Sequence, residues 1–338
     1  MTMNAYRSPR WLAGDRAWGG NLQTVWPALF ARSHHGAAPH FDRQRWATPD
    51  GDFIDLDWYR FSGNAEPGQR KLLVLFHGLE GSSASPYSQA FASHARQSGW
   101  DFVVAHFRGC SGELNHAPRA YHSGDFEEIG WILARLRELH PTSAGPLFAV
   151  GISLGGNALL RWVEEAGNSA STTLRAAAAV SSPVDLAAGG HAIGRGFNRL
   201  VYTRMFLRSM VPKALAKLAQ HPGLFDRDRL LAARSLYDFD NVFTAPLHGF
   251  RDTDDYWSRG SAKPHLQHVR IPTLLLNARN DPFIPADSLP REHEVGQHVR
   301  LWQPVHGGHV GFPAGWPPGD VLTMPQRVMA WLDAPDLG

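Results

Sequence analysis

The segment Leu72-Leu73-Val74-Leu75-Phe76 offers water no face, and the same near-unbroken apolar type recurs at 102–107, 147–151, 176–180 and 273–276 of the 338-residue chain. A strand with one wet face alternates polar and apolar residues. A run without alternation belongs to a strand covered on both sides, as in a parallel sheet. Helical periodicity fills the intervals at 87–97, 125–139 and 154–165. Strand and helix in strict alternation predict βαβ units, hence an α/β protein with a mostly parallel central sheet and helices on both faces. The pattern predicts a last edge-side strand at 299–302 and a closing helix at 321–332.

The flanks read differently. Segments 43–47 and 53–59 alternate, and Thr48-Pro49-Asp50-Gly51 between them signals a hairpin, because the glycine supplies the positive φ such a turn needs. Residues 1–42 read as an irregular arm lying on the core, with Trp11, Trp18 and Trp26 among Gly, Pro and polar residues. From 185 to 267 the rhythm stops, and apolar and basic helical stretches give way to a Phe/Asp/Tyr-rich segment. The expected organisation is therefore an arm at 1–42, a core at 43–184 and 268–338, and a helical cap or lid inserted at 185–267. A core of this size needs neither disulfide nor metal to fold, and the lone Cys110 supplies neither.

Thirty-three Lys+Arg stand against 31 Asp+Glu, and the 29 arginines are scattered. That balance creates no field for a nucleic-acid partner. The first fifteen residues hold no apolar core of signal-peptide length, and nowhere do roughly 18 uncharged apolar residues follow one another. A cytoplasmic protein without a spanning segment is expected, its tryptophans remaining compatible with peripheral membrane contact.

The sharpest chemical signal is Gly151-Ile152-Ser153-Leu154-Gly155, set between an apolar strand and a helix. A serine on so tight a strand-to-helix turn is lifted clear of the sheet, and only small neighbours fit around it. A nucleophilic serine needs a base, and the base needs an acid, in the chain order Ser, Asp, His. Asp281, just past the 273–276 strand, is favoured over Asp287, Asp252, Asp254 and Asp255, since catalytic groups gather at the carboxyl ends of strands. In Pro304-Val305-His306-Gly307-Gly308-His309, the two glycines favour His309 over His306 as base. A metal reading of His-x-x-His lacks a third ligand and the neighbouring Glu of a zinc-binding helix. Oxyanion donors are expected from the Leu154 amide and from Leu79 in His77-Gly78-Leu79-Glu80-Gly81. Cys110 has no positioned histidine in the required order, and His122, Arg108 and Asp125 line or tie down loops without chemistry.

Together these residues resemble the α/β-hydrolase superfamily, and within it the YheT-type (AB hydrolase 4) branch. The resemblance rests on Gly20-Asn21-Leu22-Gln23-Thr24-Val25, the His77–Gly81 loop with Ser85-Pro86-Tyr87, Arg108-Gly109-Cys110-Ser111-Gly112, the 151–157 elbow, Asn280-Asp281-Pro282 and Gly307-Gly308-His309-Val310-Gly311-Phe312. It implies a triad of Ser153, Asp281 and His309 and ester hydrolysis without cofactor or metal. The expected activity is that of a serine-dependent carboxylesterase acting on small short- to medium-chain acyl esters through an acyl-enzyme. Acyl transfer to an alcohol, and a non-catalytic binding protein on the same fold, are the alternatives. The chain also lacks the N-terminal membrane segment of eukaryotic lipases in this branch, while its oligomeric state is not written in the sequence.

Overall fold

The computed structural model describes residues 2–12, 18–63, 66 and 68–337; residues 1 and 13–17 of the predicted arm lie outside the described residues, as does residue 338. Eight strands form one sheet in the order β1-β2-β4-β3-β5-β6-β7-β8. The hairpin β1 (Asp42–Ala47) and β2 (Phe53–Tyr59) joins antiparallel to β4 (Asp101–Ala105). From there β3 (Leu72–Phe76), β5 (Leu147–Ile152), β6 (Ala176–Val180), β7 (Thr273–Leu276) and β8 (Val299–Trp302) run parallel.

Alternate side chains of each central strand serve opposite cores, which is why the runs are apolar throughout. Leu72, Val74 and Phe76 enter the core that Ile129, Leu133, Leu159 and Val163 close. Those four belong to α3 (Phe126–Leu139) and α4 (Leu154–Ala166). Leu73 and Leu75 point the other way, to Phe91 and Ala95 of α2 (Pro86–Ser98) and Val328 of the C-terminal helix Thr323–Asp333. Asp125 starts α3 by accepting the Glu128 amide with its side chain, satisfying one of the donors that a helix start leaves without a partner.

Three expectations shift. The arm is not irregular throughout: α1 spans Gly19–Phe30. Its buried positions carry Gly19, Gly20, Gln23 and Pro27, so the usual apolar stripe is missing and the helix was invisible to a periodicity argument. Strand β4 stops at Ala105 rather than 107, since Phe107 already opens a turn in which its carbonyl accepts the Cys110 amide at 2.9 Å. The closing helix starts at Thr323 rather than 321 because Val321 pairs backward instead, its amide donating to the Arg32 carbonyl at 3.0 Å. Between β6 and β7 the chain is helical, with Leu186–Ile193, Arg204–Gln220 and Thr253–Gly260 as its longer helices. Among the described residues no helix is long and apolar enough to cross a membrane.

Candidate active site

Ser153 occupies the turn between β5 and α4 with φ +52° and ψ −119°. A non-glycine residue adopts such a backbone only where its surroundings enforce it. Here the Ser153 amide donates to the Val180 carbonyl at 2.8 Å and its carbonyl accepts the Gly156 amide at 2.9 Å. The turn also presses α4 against β3. A side chain at Gly155 would meet the carbonyl oxygens of His77 and Phe76 at 2.4 and 2.5 Å, so nothing larger than glycine fits.

The carboxyl ends of β7 and β8 bring the two partners. His309 Nε2 lies 2.9 Å from Ser153 Oγ, and His309 Nδ1 lies 2.8 Å from Asp281 Oδ2. The Asp281 carboxylate is fully buried and its other oxygen accepts the Phe283 amide at 2.8 Å. With Asp281 ionised, Nδ1 donates to it, which leaves Nε2 as the acceptor for the serine hydroxyl proton. The Phe283 ring covers the imidazole at 4.3 Å between centroids. His309, not His306, is the histidine bonded to the serine.

What holds His309 was not apparent from the sequence. Gln23, fully buried on α1, accepts with Oε1 both the Gly307 amide (3.0 Å) and the Asn280 side-chain amide (2.9 Å). Asn280 Oδ1 in turn accepts the Gly308 amide at 3.0 Å, and Thr24 Oγ1 accepts the His309 amide at 2.8 Å. Helix and loop touch so closely that a side chain at Gly311 would overlap the Gln23 carbonyl oxygen at 1.8 Å. One polar helix position thus ties together the loops that carry Asp281 and His309. The signal available was the polar pair Gln23-Thr24 within an otherwise apolar stretch, but nothing in the sequence tells which loop that pair meets.

Leu79 lies on the loop after β3 and, with Leu154, borders the same cavity as Ser153 and His309. Neither amide has a protein acceptor among the described residues, and Leu154 is the first residue of α4, where helix amides lack internal partners. The neighbouring Glu80 sits at φ +57°. Tyr121 Oη accepts its amide and donates to its carboxylate, both at 3.0 Å, and Lys213 pairs with that carboxylate at 2.8 Å. Lys213 belongs to the helical segment between β6 and β7, so that segment grips the Leu79 loop directly. The cavity measures about 260 Å³, and the same segment lines it with Ile193, Phe206, Met210, Phe239, Phe243 and Trp257. Asp240 also borders it, accepting from Thr244 and Trp257, with burial raising its pKa to about 6. Arg108 and His122 line the cavity as well, whereas Asp125 caps α3 and pairs with Arg119 at 2.6 Å. Cys110 is buried, and burial pushes its thiol up to about 12, far from a thiolate nucleophile.

Two neutral histidines brace this region. His77 donates from Nδ1 to the Gly78 carbonyl at 2.7 Å and accepts the Phe107 amide on Nε2 at 3.0 Å, an arrangement that only the neutral ring permits. Burial lowers the pKa of His77, and likewise of His122, to about 3. An unfolded histidine takes its proton near 6.5, so between about pH 6.5 and pH 3 the unfolded chain binds more protons and stability falls as pH falls. Each histidine contributes about 1.4 kcal/mol per pH unit inside that window. Urea unfolding at pH 7 and pH 5 should therefore differ by about 3 kcal/mol or more from these two groups. His77→Gln, which keeps a donor and an acceptor, should shrink that difference, and an unchanged difference would refute the assignment.

A family model described as alpha/beta hydrolase fold matches residues 71–315. The chain is 39% identical to the YheT protein of Escherichia coli (strain K12) over 314 residues, covering 92% of this chain and 89% of that one. It is 32% identical to Phospholipase ABHD3 of Mus musculus over 279 residues, which cover 80% of this chain and 66% of the phospholipase. Among solved structures, the esterase Pf2001 of Pyrococcus furiosus superposes with a TM-score of 0.53 at 14% identity, covering 89% of this chain and 94% of that one, a likeness of fold alone. The matched span, the identity to YheT and the sheet order agree: this chain belongs to the α/β-hydrolase family, in its YheT-type branch.

Proposed function

We propose that the protein is a serine-dependent carboxylic ester hydrolase in which Ser153 is the nucleophile, His309 the general base and Asp281 the residue that fixes the base's tautomer. The observation that carries this is the unbroken chain Ser153 Oγ, His309 Nε2, His309 Nδ1, Asp281 Oδ2, with links of 2.9 and 2.8 Å. His309 removes the hydroxyl proton as Oγ adds to the ester carbonyl. The Leu79 and Leu154 amides receive the oxyanion, helped by the positive end of α4. Protonated His309 then gives its proton to the departing alcohol, leaving an acyl group on Ser153. Water, deprotonated by the same imidazole, adds to the acyl carbonyl and releases the acid. Each oxyanion donor in such a site is worth about 3–4 kcal/mol in the transition state.

The helical segment 185–267 acts as the cap over this site and supplies the acyl pocket. A cavity of about 260 Å³ lies just below the roughly 300 to 1,000 Å³ of drug-sized ligand sites, which suits a short or medium acyl chain. The names of two relatives, Phospholipase ABHD3 and the Monoacylglycerol lipase of Saccharomyces cerevisiae, support acyl esters as the substrate class.

The test is a fluorophosphonate probe followed by peptide mass mapping, together with a series of p-nitrophenyl acyl esters. The expected result is a single adduct on the Ser153 peptide and hydrolysis that peaks at short or medium chains. An unlabelled Ser153 and no ester turnover at any chain length would refute the reading.

A further inference from the structure

Helix α1 is amphipathic in the reverse sense. Its protein-facing side carries Gly19, Gly20, Gln23 and Pro27, while Trp18, Leu22, Leu29 and Phe30 face solvent with exposures of 58%, 43%, 67% and 55%. A second exposed apolar row adjoins it on the helical segment after β6: Phe197 (40%), Leu200 (57%), Val201 (38%) and Met205 (53%). The rows meet at the start of α1, where Trp18 meets Phe197 edge to face at 5.3 Å and Tyr202 donates to the Asn21 side chain at 2.9 Å. Scattered apolar side chains on a surface are ordinary; eight on two touching elements form a patch of the kind that marks an interaction site.

Charge identifies what the patch meets. Arg195, Arg199, Arg204 and Arg208 stand exposed among and beside the second row. None has an ion-pair partner among the described residues. No Asp or Glu occurs from 186 to 225 or from 18 to 41, although acids and bases nearly balance over the whole chain. A face of aromatic and aliphatic side chains, set among unpaired arginines and built from two segments that carry no carboxylate of their own, matches the boundary between acyl chains and anionic headgroups. It matches a second copy of the chain poorly, because a two-fold contact would place arginine rows against each other. We propose that α1 and residues 196–208 form a docking face for the surface of a bilayer containing anionic lipid.

Vesicle binding is read without turnover, so its outcome is independent of the esterase reading. The full chain would be sedimented with vesicles of phosphatidylcholine alone and of phosphatidylcholine with one third phosphatidylglycerol. Binding is expected on the anionic vesicles, at least tenfold tighter than on the neutral ones, and weaker at high salt. Each Arg→Gln change at 195, 199, 204 or 208 should weaken it about fivefold. Leu200→Gln combined with Met205→Gln should also release the protein, with thermal melts by circular dichroism unchanged. No association with either vesicle, or variants that bind as well as the parent, would overturn the proposal. So would a dimer in sedimentation velocity that Leu200→Gln dissociates, since a second copy would then cover the face.

Discussion

Replacing Ser153 with alanine should lower kcat/KM for a p-nitrophenyl acyl ester by about 10⁵-fold or more and abolish fluorophosphonate labelling, while leaving the melting curve nearly unchanged. The chemistry predicts the first part: without Oγ, no acyl-enzyme forms, and what remains is the oxyanion donors and binding, which in serine hydrolases retain only a small residual rate. The fold predicts the second. Among the described residues Ser153 Oγ has one partner, His309 Nε2, and the backbone bonds to Val180 and Gly156 that set the turn do not involve the hydroxyl. Steady-state kinetics of the purified variant checks both. A residual rate within tenfold of the parent would move the nucleophile elsewhere.

Asp281→Asn should lower kcat by about 10⁴-fold with little change in KM. The reason lies in the second oxygen of the carboxylate. Asp281 accepts from the Phe283 amide with one oxygen and from His309 Nδ1 with the other. An asparagine has a single oxygen. If that oxygen stays with the Phe283 amide, the asparagine NH₂ faces Nδ1, and the imidazole proton must move to Nε2. The base would then present a proton, not a lone pair, to Ser153. Size and position of the side chain hardly change, so substrate binding persists and the loss falls on the chemical step. A fall in kcat of less than about tenfold would show that Asp281 does not set the tautomer.

The strands and the triad candidates were legible because each leaves a local signal. The runs at 72–76, 176–180, 273–276 and 299–302 coincide with β3, β6, β7 and β8. Ser153, Asp281 and His309 each follow a strand or close a glycine loop, and the sheet order then brings three distant points to one rim. Two kinds of information were not local. Helix α1 hides because Leu22, Leu29 and Phe30 face outward while Gly19, Gly20 and Gln23 are buried, the reverse of what a periodicity argument rewards. Gln23 hides because a glutamine's role depends on which loops it meets, and those lie more than 250 residues away. The Tyr121, Glu80 and Lys213 contacts on the Leu79 loop have the same character: three unremarkable residues from three separate segments.

The bond from Gln23 to the Gly307 amide joins residues 284 positions apart. During synthesis, Gln23 therefore leaves the ribosome long before the loop that it holds. A nascent chain long enough to present the serine elbow would still lack its base, and the early helix would have nothing to grip. On the proposed mechanism, Ser153 would therefore become reactive only once the 307–309 loop has folded back over the elbow and onto the early helix, so a chain that had not yet made that loop would hold a silent serine.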